Sequence, residues 1–263
     1  MLTIKNLKKS FNEGTENEVN IFNGFNLEIK ESEFVAVLGS NGCGKSTLFN
    51  IISGSINDNG GSIVLGGEDI TSLKEEERAG KIGKVHQDPS KGVSPSLTIL
   101  ENLSLAAKKS EKFSLRRLIK KENTGKFIEL LKELDLGLEN KLNTKVKFLS
   151  GGQRQALSLI MATLKKPELL LLDEHTAALD PKTSKIIMDK TDEIVRKNNI
   201  TTLMITHNLQ DAITYGDRIM MLHNGNIVLN LSGEEKKNLT PEKLLEKFQS
   251  VKGNINDKDI FTA

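Results

Sequence analysis

A glycine-rich loop between an apolar strand and a helix constrains this chain more than any other feature. Residues 34–38 (FVAVL) form a continuous apolar run, which is typical of a strand buried on both faces. The segment from Gly39 to Ser46 follows, and residues 47–54 (TLFNIISG) then show helical spacing with a closing glycine. A strand, a glycine-rich turn and a helix in this order predict an α/β protein with a phosphate-binding loop.

The loop has the P-loop spacing Gly39-x4-Gly44-Lys45-Ser46; the alternative is a glycine-rich turn with a surface lysine. Glycine lets backbone N–H groups converge on phosphate oxygens where a Cβ would obstruct them or where φ must be positive. The helix points its positive end at the same oxygens, Lys45 supplies a mobile catalytic charge, and Ser46 offers a hydroxyl to Mg²⁺. The predicted nucleotide-binding residues are Gly39, Ser40, Asn41, Gly42, Cys43, Gly44, Lys45, Ser46 and Thr47.

Two carboxylates follow a second apolar run. Residues 169–172 (LLLL) predict a buried strand that ends in Asp173 and Glu174. Ligands of open α/β sheets bind at this end of the strands. Asp173 can therefore hold the Mg²⁺ shell, and Glu174 can face the water that attacks the γ-phosphate. Two acids that merely end a strand are the alternative, which the upstream P-loop disfavours.

The segment Leu149–Gln153 (LSGGQ) lies between these two motifs and resembles the signature of the ABC-family ATPases. The resemblance covers roughly residues 2–230. A Ser-Gly-Gly turn that opens a helix is itself an anion site, because its N–H groups are free and the helix dipole is positive there. In the family this segment binds the γ-phosphate held by the opposite subunit, which implies a head-to-tail dimer. The corresponding residues here are Ser150, Gly151, Gly152 and Gln153.

Four further positions match the family one by one. Gln87 resembles the Q-loop glutamine, which senses Mg²⁺ and is counted here among both the metal ligands and the catalytic residues. His207 resembles the switch histidine that contacts the γ-phosphate. Asp180 resembles the D-loop aspartate that crosses the dimer. Phe11 resembles the aromatic residue that stacks on adenine, although a Phe beside a strand often belongs to the core.

The resemblance implies a fold class, an α/β P-loop NTPase (RecA-like) core with an N-terminal antiparallel β subdomain and an inserted α-helical subdomain. The ATPase domain is expected over residues 1–230. Its core and β subdomain would occupy 1–90 and 160–230, and the helical subdomain would occupy about 91–159. Residues 231–263 would form a short C-terminal helix and a tail whose last residues are frayed.

Two residues depart from expectation. The family usually has proline after Glu174, whereas this chain has His175. The stiffness that proline's fixed φ provides is lost, and His175 could add a titrating group near the phosphates. Cys43 lies inside the P-loop, beside a lysine and a helix N-terminus. If its thiol is exposed it should be reactive, and alkylation should then block ATP binding.

Composition narrows the class of protein. The net charge of +2 is too small an excess of positive charge to indicate binding to nucleic acid. The few aromatic residues (10 Phe, 1 Tyr, no Trp) also disfavour a site where bases stack on aromatic rings. A single cysteine excludes an internal disulfide framework. No apolar run approaches the length of a membrane span, and the first residues lack the apolar region of a secretory signal. The chain is therefore expected to lie in the cytosol, without a nucleic-acid partner.

The resemblance implies that ATP is hydrolysed to ADP and phosphate with Mg²⁺ as cofactor, by an ATP-dependent homodimer. It further implies a peripheral subunit on the cytoplasmic face of the cell membrane that powers a separate permease, which would dock on residues 84–106. The stretches 86–106 and 233–248 resemble a bacterial uptake subgroup that uses an extracytoplasmic binding protein. Import of a small solute is therefore expected, with amino acids among the candidate substrates.

Alternatives remain at this point. They are an exporter ATPase, a catalytically silent scaffold, or a soluble ABC ATPase that acts in cluster assembly, on ribosomes or on DNA. The common translation factors carry two cassettes in one chain, and the chromosome-maintenance type has a long coiled coil between its motifs; this chain has neither. The basic run 108–121 could approach lipid headgroups or form a solvated helix face.

Overall fold

A computed structural model describes residues 1–109, 118–119 and 121–252, which fall into two compact units. The first unit contains residues 1–78 and the chain from Asn199 onward, and the second contains residues 79–198. Within the described ranges no helix combines the length and apolar character needed to cross a membrane.

The elements named below all belong to the described ranges. The strands are β1 (Leu2–Phe11), β2 (Val19–Ile29), β3 (Phe34–Gly39), β4 (Gly60–Leu65), β5 (Glu68–Asp69), β6 (Ile82–Val85), β7 (Leu169–Asp173), β8 (Thr201–Ile205), β9 (Arg218–His223) and β10 (Asn226–Ser232). The helices are α1 (Lys45–Ser53), α2 (Glu75–Arg78), α3 (Ile99–Ala107), α4 (Lys121–Lys132), α5 (Gly151–Thr163), α6 (Pro181–Asn198), α7 (Leu209–Tyr215), α8 (Glu234–Lys237) and α9 (Pro241–Lys252).

The first unit contains two sets of strands. One is antiparallel with the order β2-β1-β4-β5, and the alternation of buried and exposed residues in β1 matches a sheet with one covered face. In the other, β3 runs parallel to both β8 and β9, and β9 pairs antiparallel with β10. All six residues of β3 are buried because it has a neighbour on each side. Helix α1 follows β3 directly, so the phosphate loop begins at the end of a fully buried strand.

A buried arginine closes the far end of α1. The guanidinium of Arg78 donates to the carbonyl oxygens of Ile51 and Ile52 at 2.7 and 3.0 Å, and the cap residue Gly54 has a φ of 83°. The last carbonyls of the helix therefore have hydrogen-bond partners within the protein, from a guanidinium that is itself only 4% exposed. Burial lowers the pKa of the Arg78 guanidinium. The helix whose first turn carries Lys45 is thus held at its other end as well.

The second unit pairs β6 in parallel with β7, with Ile82 opposite Leu169. Helices α3 and α5 both begin with a capping box, in which a hydroxyl side chain and a residue three positions later accept each other's backbone N–H. The side chain of Gln155, fully buried in α5, donates to the carbonyl of His86 at 3.1 Å. This bond fixes α5 to the chain that leaves β6.

Several predicted elements are confirmed. The strand over residues 34–38, the helix that closes at Gly54 and the strand that ends at Asp173 are all present. Asn224 and Gly225, a pair typical of two-residue hairpin turns, connect β9 and β10, and both have positive φ. The boundaries of the predicted subdomains stay a prediction. The basic run 108–121 and the frayed tail fall largely on residues 110–117, 120 and 253–263, which lie outside the described residues.

Candidate active site

The phosphate loop needs glycine at two of its positions. Gly39 has a φ of 150°, and a Cβ there would lie 2.4 Å from the carbonyl oxygen of Leu222. Gly44 has a φ of 108°, and a Cβ there would lie 2.9 Å from the ring of Phe22. Any side chain at either position would collide with its surroundings, so the two glycines predicted from spacing are required by the packing of the loop.

The loop curls around the side chain of Lys45. This residue opens α1, is 6% exposed, and donates from Nζ to the carbonyl oxygens of Gly39 and Ser40 at 2.7 and 3.0 Å. The cap residue Gly44 has no side chain to accept from the N–H groups of the first turn, and Ser46 is exposed. A buried cation and a helix start without a side-chain cap fit an anionic phosphate at this position.

Two of the predicted metal ligands lie on one cavity in the second unit. Gln87 follows β6 and Asp173 ends β7, and both line a cavity of about 350 Å³. The other lining residues are His86, Asp88, Pro89, Lys91 and Ala178. A carboxylate and an amide oxygen are hard donors of the kind that Mg²⁺ takes, so this donor set fits the ion. The third predicted ligand, Ser46, belongs to the first unit.

Glu174 has an unusual backbone. Its φ of 45° is in the left-handed region, which non-glycine residues rarely adopt and which is costly unless the surroundings impose it. Its carbonyl accepts from the N–H of Ala177 at 3.0 Å. The predicted catalytic carboxylate is therefore carried on a strained turn directly after the strand end that bears Asp173.

The predicted titration of His175 near the phosphates is wrong. The imidazole is 2% exposed, with Nε2 at 3.2 Å from the hydroxyl oxygen of Thr191. Burial lowers the pKa of His175 from 6.5 to about 4, because the charged form loses its hydration. The side chain is therefore neutral near pH 7. Thr191 was missed from the sequence, although it interrupts the apolar face of α6 at helical spacing from Ile187.

The condition for a reactive Cys43 is also not met. The side chain is 4% exposed, and the carbonyl of Cys43 accepts from the N–H of Gly225 at 3.3 Å. Its Sγ would lie 2.8 Å from a Cβ placed on Gly39. The residue therefore fills the inside of the loop, and its reagent-accessible surface is small.

The signature segment begins α5. The hydroxyl of Ser150 accepts from the N–H of Gln153 at 3.2 Å, and the Gln153 side chain accepts from the N–H of Ser150 at 3.3 Å. Gly152 is buried, and a Cβ there would lie 2.4 Å from the methyl carbon of Thr183 in α6. Ser150 is exposed and Gly151 partly so. The predicted anion site is thus a capped helix start with an exposed edge.

Asp180 caps the next helix. Its Oδ1 accepts from the N–H of Thr183 at 3.1 Å, and the hydrogen bonds from Thr183 hold the pKa of the Asp180 carboxyl below its usual value. The side chain is exposed. Asp180 therefore begins α6, and its predicted part in a dimer remains a prediction.

In addition to the residues of the phosphate loop, the first unit contains two predicted site residues, His207 and Phe11. His207 follows β8 and is partly exposed, and the next residue, Asn208, caps α7 by accepting from the N–H of Asp211 at 2.9 Å. Phe11 ends β1 and is partly exposed, with Nζ of Lys9 at 4.9 Å from its ring centroid. Phe11 thus ends a strand, and His207 lies between a strand and a helix.

Known proteins resemble this chain over most of its length. Residues 22–177 match the model of the ABC transporter family. The chain is 51% identical over 249 residues to a tyrosine transport ATP-binding protein of Clostridioides difficile, covering 95% of this chain and 99% of that protein. It is 37% identical over 227 residues to the spermidine/putrescine import ATP-binding protein PotA of Mannheimia succiniciproducens, covering 86% of this chain and 56% of PotA.

Solved structures agree. A dimeric post-hydrolysis state of the ATP-binding cassette MJ0796, bound to ADP and Pi, has a TM-score of 0.75 at 31% identity, over 88% of this chain and 98% of that one. The ADP conformation of the cassette MJ1267 has a TM-score of 0.77 at 28% identity, over 94% and 98%. The predicted fold class, a P-loop NTPase, is confirmed. The chain belongs to the ABC transporter family and is one of its nucleotide-binding, ATP-hydrolysing cassettes.

Proposed function

We propose that this chain is the ATPase subunit of an importer for tyrosine or a chemically similar amino acid. The observation that carries the proposal is its 51% identity, across almost the whole length of both chains, with a tyrosine transport ATP-binding protein. The more distant relatives are named for spermidine/putrescine import and for bicarbonate transport, so uptake is common to relatives whose solutes differ. The substrate class rests on the first relative alone.

The phosphate loop binds ATP in this proposal. Phosphate oxygens carry more negative charge than the carbonyls of Gly39 and Ser40, so they are the better partners for the ammonium of Lys45. The N–H groups at the start of α1 donate to the same phosphates. Phe11 stacks on the adenine.

Ser46, Gln87 and Asp173 would hold Mg²⁺, which when bound neutralises charge that develops on the γ-phosphoryl group. Glu174 orients the attacking water and accepts its proton, and His207 donates to the γ-phosphate oxygens as their charge grows. Water adds to phosphorus as the bond to ADP breaks, so the products are ADP and inorganic phosphate. Each role is assigned to a side chain at a strand end or helix start.

The signature residues Ser150–Gln153 and the exposed Asp180 act on the nucleotide of a second copy of the chain. Support comes from the dimeric state of the MJ0796 cassette, which is 31% identical to this chain. The dimer sits on the cytoplasmic face of the membrane, where residues 84–106 dock on a separate permease. An extracytoplasmic binding protein completes the importer and delivers the amino acid.

Uptake in the native cell tests this proposal. The gene is deleted and complemented with the wild type or with Glu174→Gln, and uptake of labelled tyrosine, leucine and spermidine is measured. Tyrosine uptake should fall on deletion and return only with the wild type. If only spermidine uptake is lost, the transported substrate is a polyamine and not an amino acid. If uptake of all three is unchanged, and ribosomes or DNA co-purify with ATP-trapped Glu174→Gln, the chain acts in a soluble process and not in transport.

A further inference from the structure

The turn that carries Glu174 is held on both sides. On its N-terminal side, Leu172 is paired with Val85 in the parallel β6–β7 ladder. On its C-terminal side, the carbonyl of Glu174 accepts from Ala177, and the side chain of His175 is buried. A left-handed non-glycine residue persists only where the surrounding structure imposes that conformation. The contacts of His175 therefore bear directly on where the Glu174 carboxylate points.

The hydrogen bond of His175 has a defined direction. The hydroxyl of Thr191 donates to the carbonyl oxygen of Ile187 at 2.7 Å, so its proton is already used. At 3.2 Å from Nε2, the same oxygen can only accept. The imidazole therefore carries its proton on Nε2. Both side chains are buried, so water does not compete for this bond, and an unpaired partner would be costly.

We propose that His175 and Thr191 form a latch that positions the Glu174 carboxylate to orient the attacking water and accept its proton. His175 directly follows Glu174, and its side chain anchors this part of the turn to the third turn of α6. It is therefore a positioning residue. The family usually has proline at this position, whose ring fixes its own φ; in this chain we infer that the buried hydrogen bond of His175 supplies the restriction. The inference rests on the proposed role of Glu174 in hydrolysis.

The latch has a kinetic signature that distinguishes it from a role in stability alone. ATP is bound by the phosphate loop, which contains neither latch residue, so weakening the latch should leave KM nearly unchanged. A misplaced catalytic carboxylate slows the chemical step, and a displacement of about 1 Å can cost roughly 100-fold in rate. The expected change is therefore a fall in kcat.

Two matched pairs of variants test the latch in the purified full chain with Mg-ATP. Thr191→Val removes the hydroxyl and keeps the shape, whereas Thr191→Ser keeps the hydroxyl. His175→Met removes the donor, whereas His175→Gln places an amide N–H equally many bonds from Cβ. Thr191→Val and His175→Met should lose about tenfold or more in kcat with KM within about twofold, and the conservative partners should retain most of the activity.

All rates are measured well below the lowest melting temperature of the set, and if one pair fails to fold the other decides. Equal kcat for both members of a pair, whether high or low, would overturn the latch. Glu174→Gln is measured alongside. If Glu174→Gln hydrolyses ATP like the wild type, the proposed catalytic role fails; if it is inactive while Thr191→Val is fully active, only the latch fails.

Discussion

The close approach of α5 to α6 at Gly152 gives a prediction that can be worked through in energy. Gly152→Ala places a Cβ at 2.4 Å from the methyl carbon of Thr183. Thr183 is short and β-branched, so it has few χ1 rotamers through which its methyl can move away. Overpacking of this kind costs about 1–3 kcal/mol, and the better helix propensity of alanine returns roughly 0.5–1 kcal/mol. The net destabilisation should lie between about 0 and 2.5 kcal/mol, near 1 kcal/mol for the middle of both ranges.

Thr183→Ser is the matched suppressor because it removes the colliding methyl. Alone it should cost less than about 0.8 kcal/mol, since one partly buried methyl is lost. Combined with Gly152→Ala it should restore most of the stability, which gives a favourable coupling of about 1–3 kcal/mol in a double-mutant cycle, equal to the relieved collision. Urea unfolding of the four proteins, followed by a probe in the second unit, measures this. Additive effects of the two substitutions would refute the collision as the cause.

The same four proteins separate packing from ligand contact. If Gly152 is needed only to let α6 approach, ATP hydrolysis lost in Gly152→Ala returns with Thr183→Ser. If the signature glycine also leaves room for a phosphate of the second copy, stability returns and hydrolysis does not. The proposed function requires the second result.

Three further outcomes are expected. Burial lowers the folded-state pKa of His175 from 6.5 to about 4, so the stability that this residue contributes is present above pH 6.5 and is lost as the pH falls toward 4. In urea unfolding without nucleotide, the wild type should lose about 2 kcal/mol of stability relative to His175→Gln between about pH 7.5 and 5. If the two proteins instead show the same dependence of stability on pH, His175 is not buried as described. Maleimide should label Cys43 far more slowly in the folded chain than in urea, and equal rates would mean the thiol is exposed. Asp180→Ala should lower the free energy of unfolding by about 1 kcal/mol because the cap of α6 is lost, whereas Asp180→Asn keeps the cap. If Asp180→Asn is as stable as the wild type but does not hydrolyse ATP, the negative charge of Asp180 has a role in activity separate from capping.

The parts of the site that sequence predicted well are those determined by a few neighbouring residues. The spacing of Gly39 and Gly44 predicts positions where φ must be positive, and their φ values of 150° and 108° bear this out. The Ser-Gly-Gly turn predicts the start of a helix, and α5 begins there with Ser150 as its cap. Asn224-Gly225 predicts a tight hairpin for the same local reason. Each pattern works because the cost of the backbone conformation lies within the motif itself.

Two expectations concerned the surroundings of a side chain: that His175 titrates near the phosphates, which is wrong, and that Cys43 is reactive if exposed, whereas its side chain is buried. The sequence suggests a reactive Cys43 from the lysine and helix N-terminus beside it, and a titrating His175 from its expected place near the phosphates. Their behaviour depends instead on distant residues: Cys43 is enclosed near Gly225, and His175 is enclosed by α6. A pKa or a thiol's reactivity is set by hydration and by partners in space, which a motif does not encode.

This difference has a consequence for how the site works. Residues whose geometry is local, such as Lys45 in its loop, are in place as soon as the loop folds. Glu174 is different: in the proposed latch its left-handed backbone is held through His175 by Thr191 of α6, a helix that begins several residues later in the chain. A change at Thr191 would then reach the proposed catalytic carboxylate through His175, whereas the phosphate loop contains neither latch residue. Binding and hydrolysis can thus be altered separately, which an ATPase needs if a partner protein is to control when the bound nucleotide is cleaved.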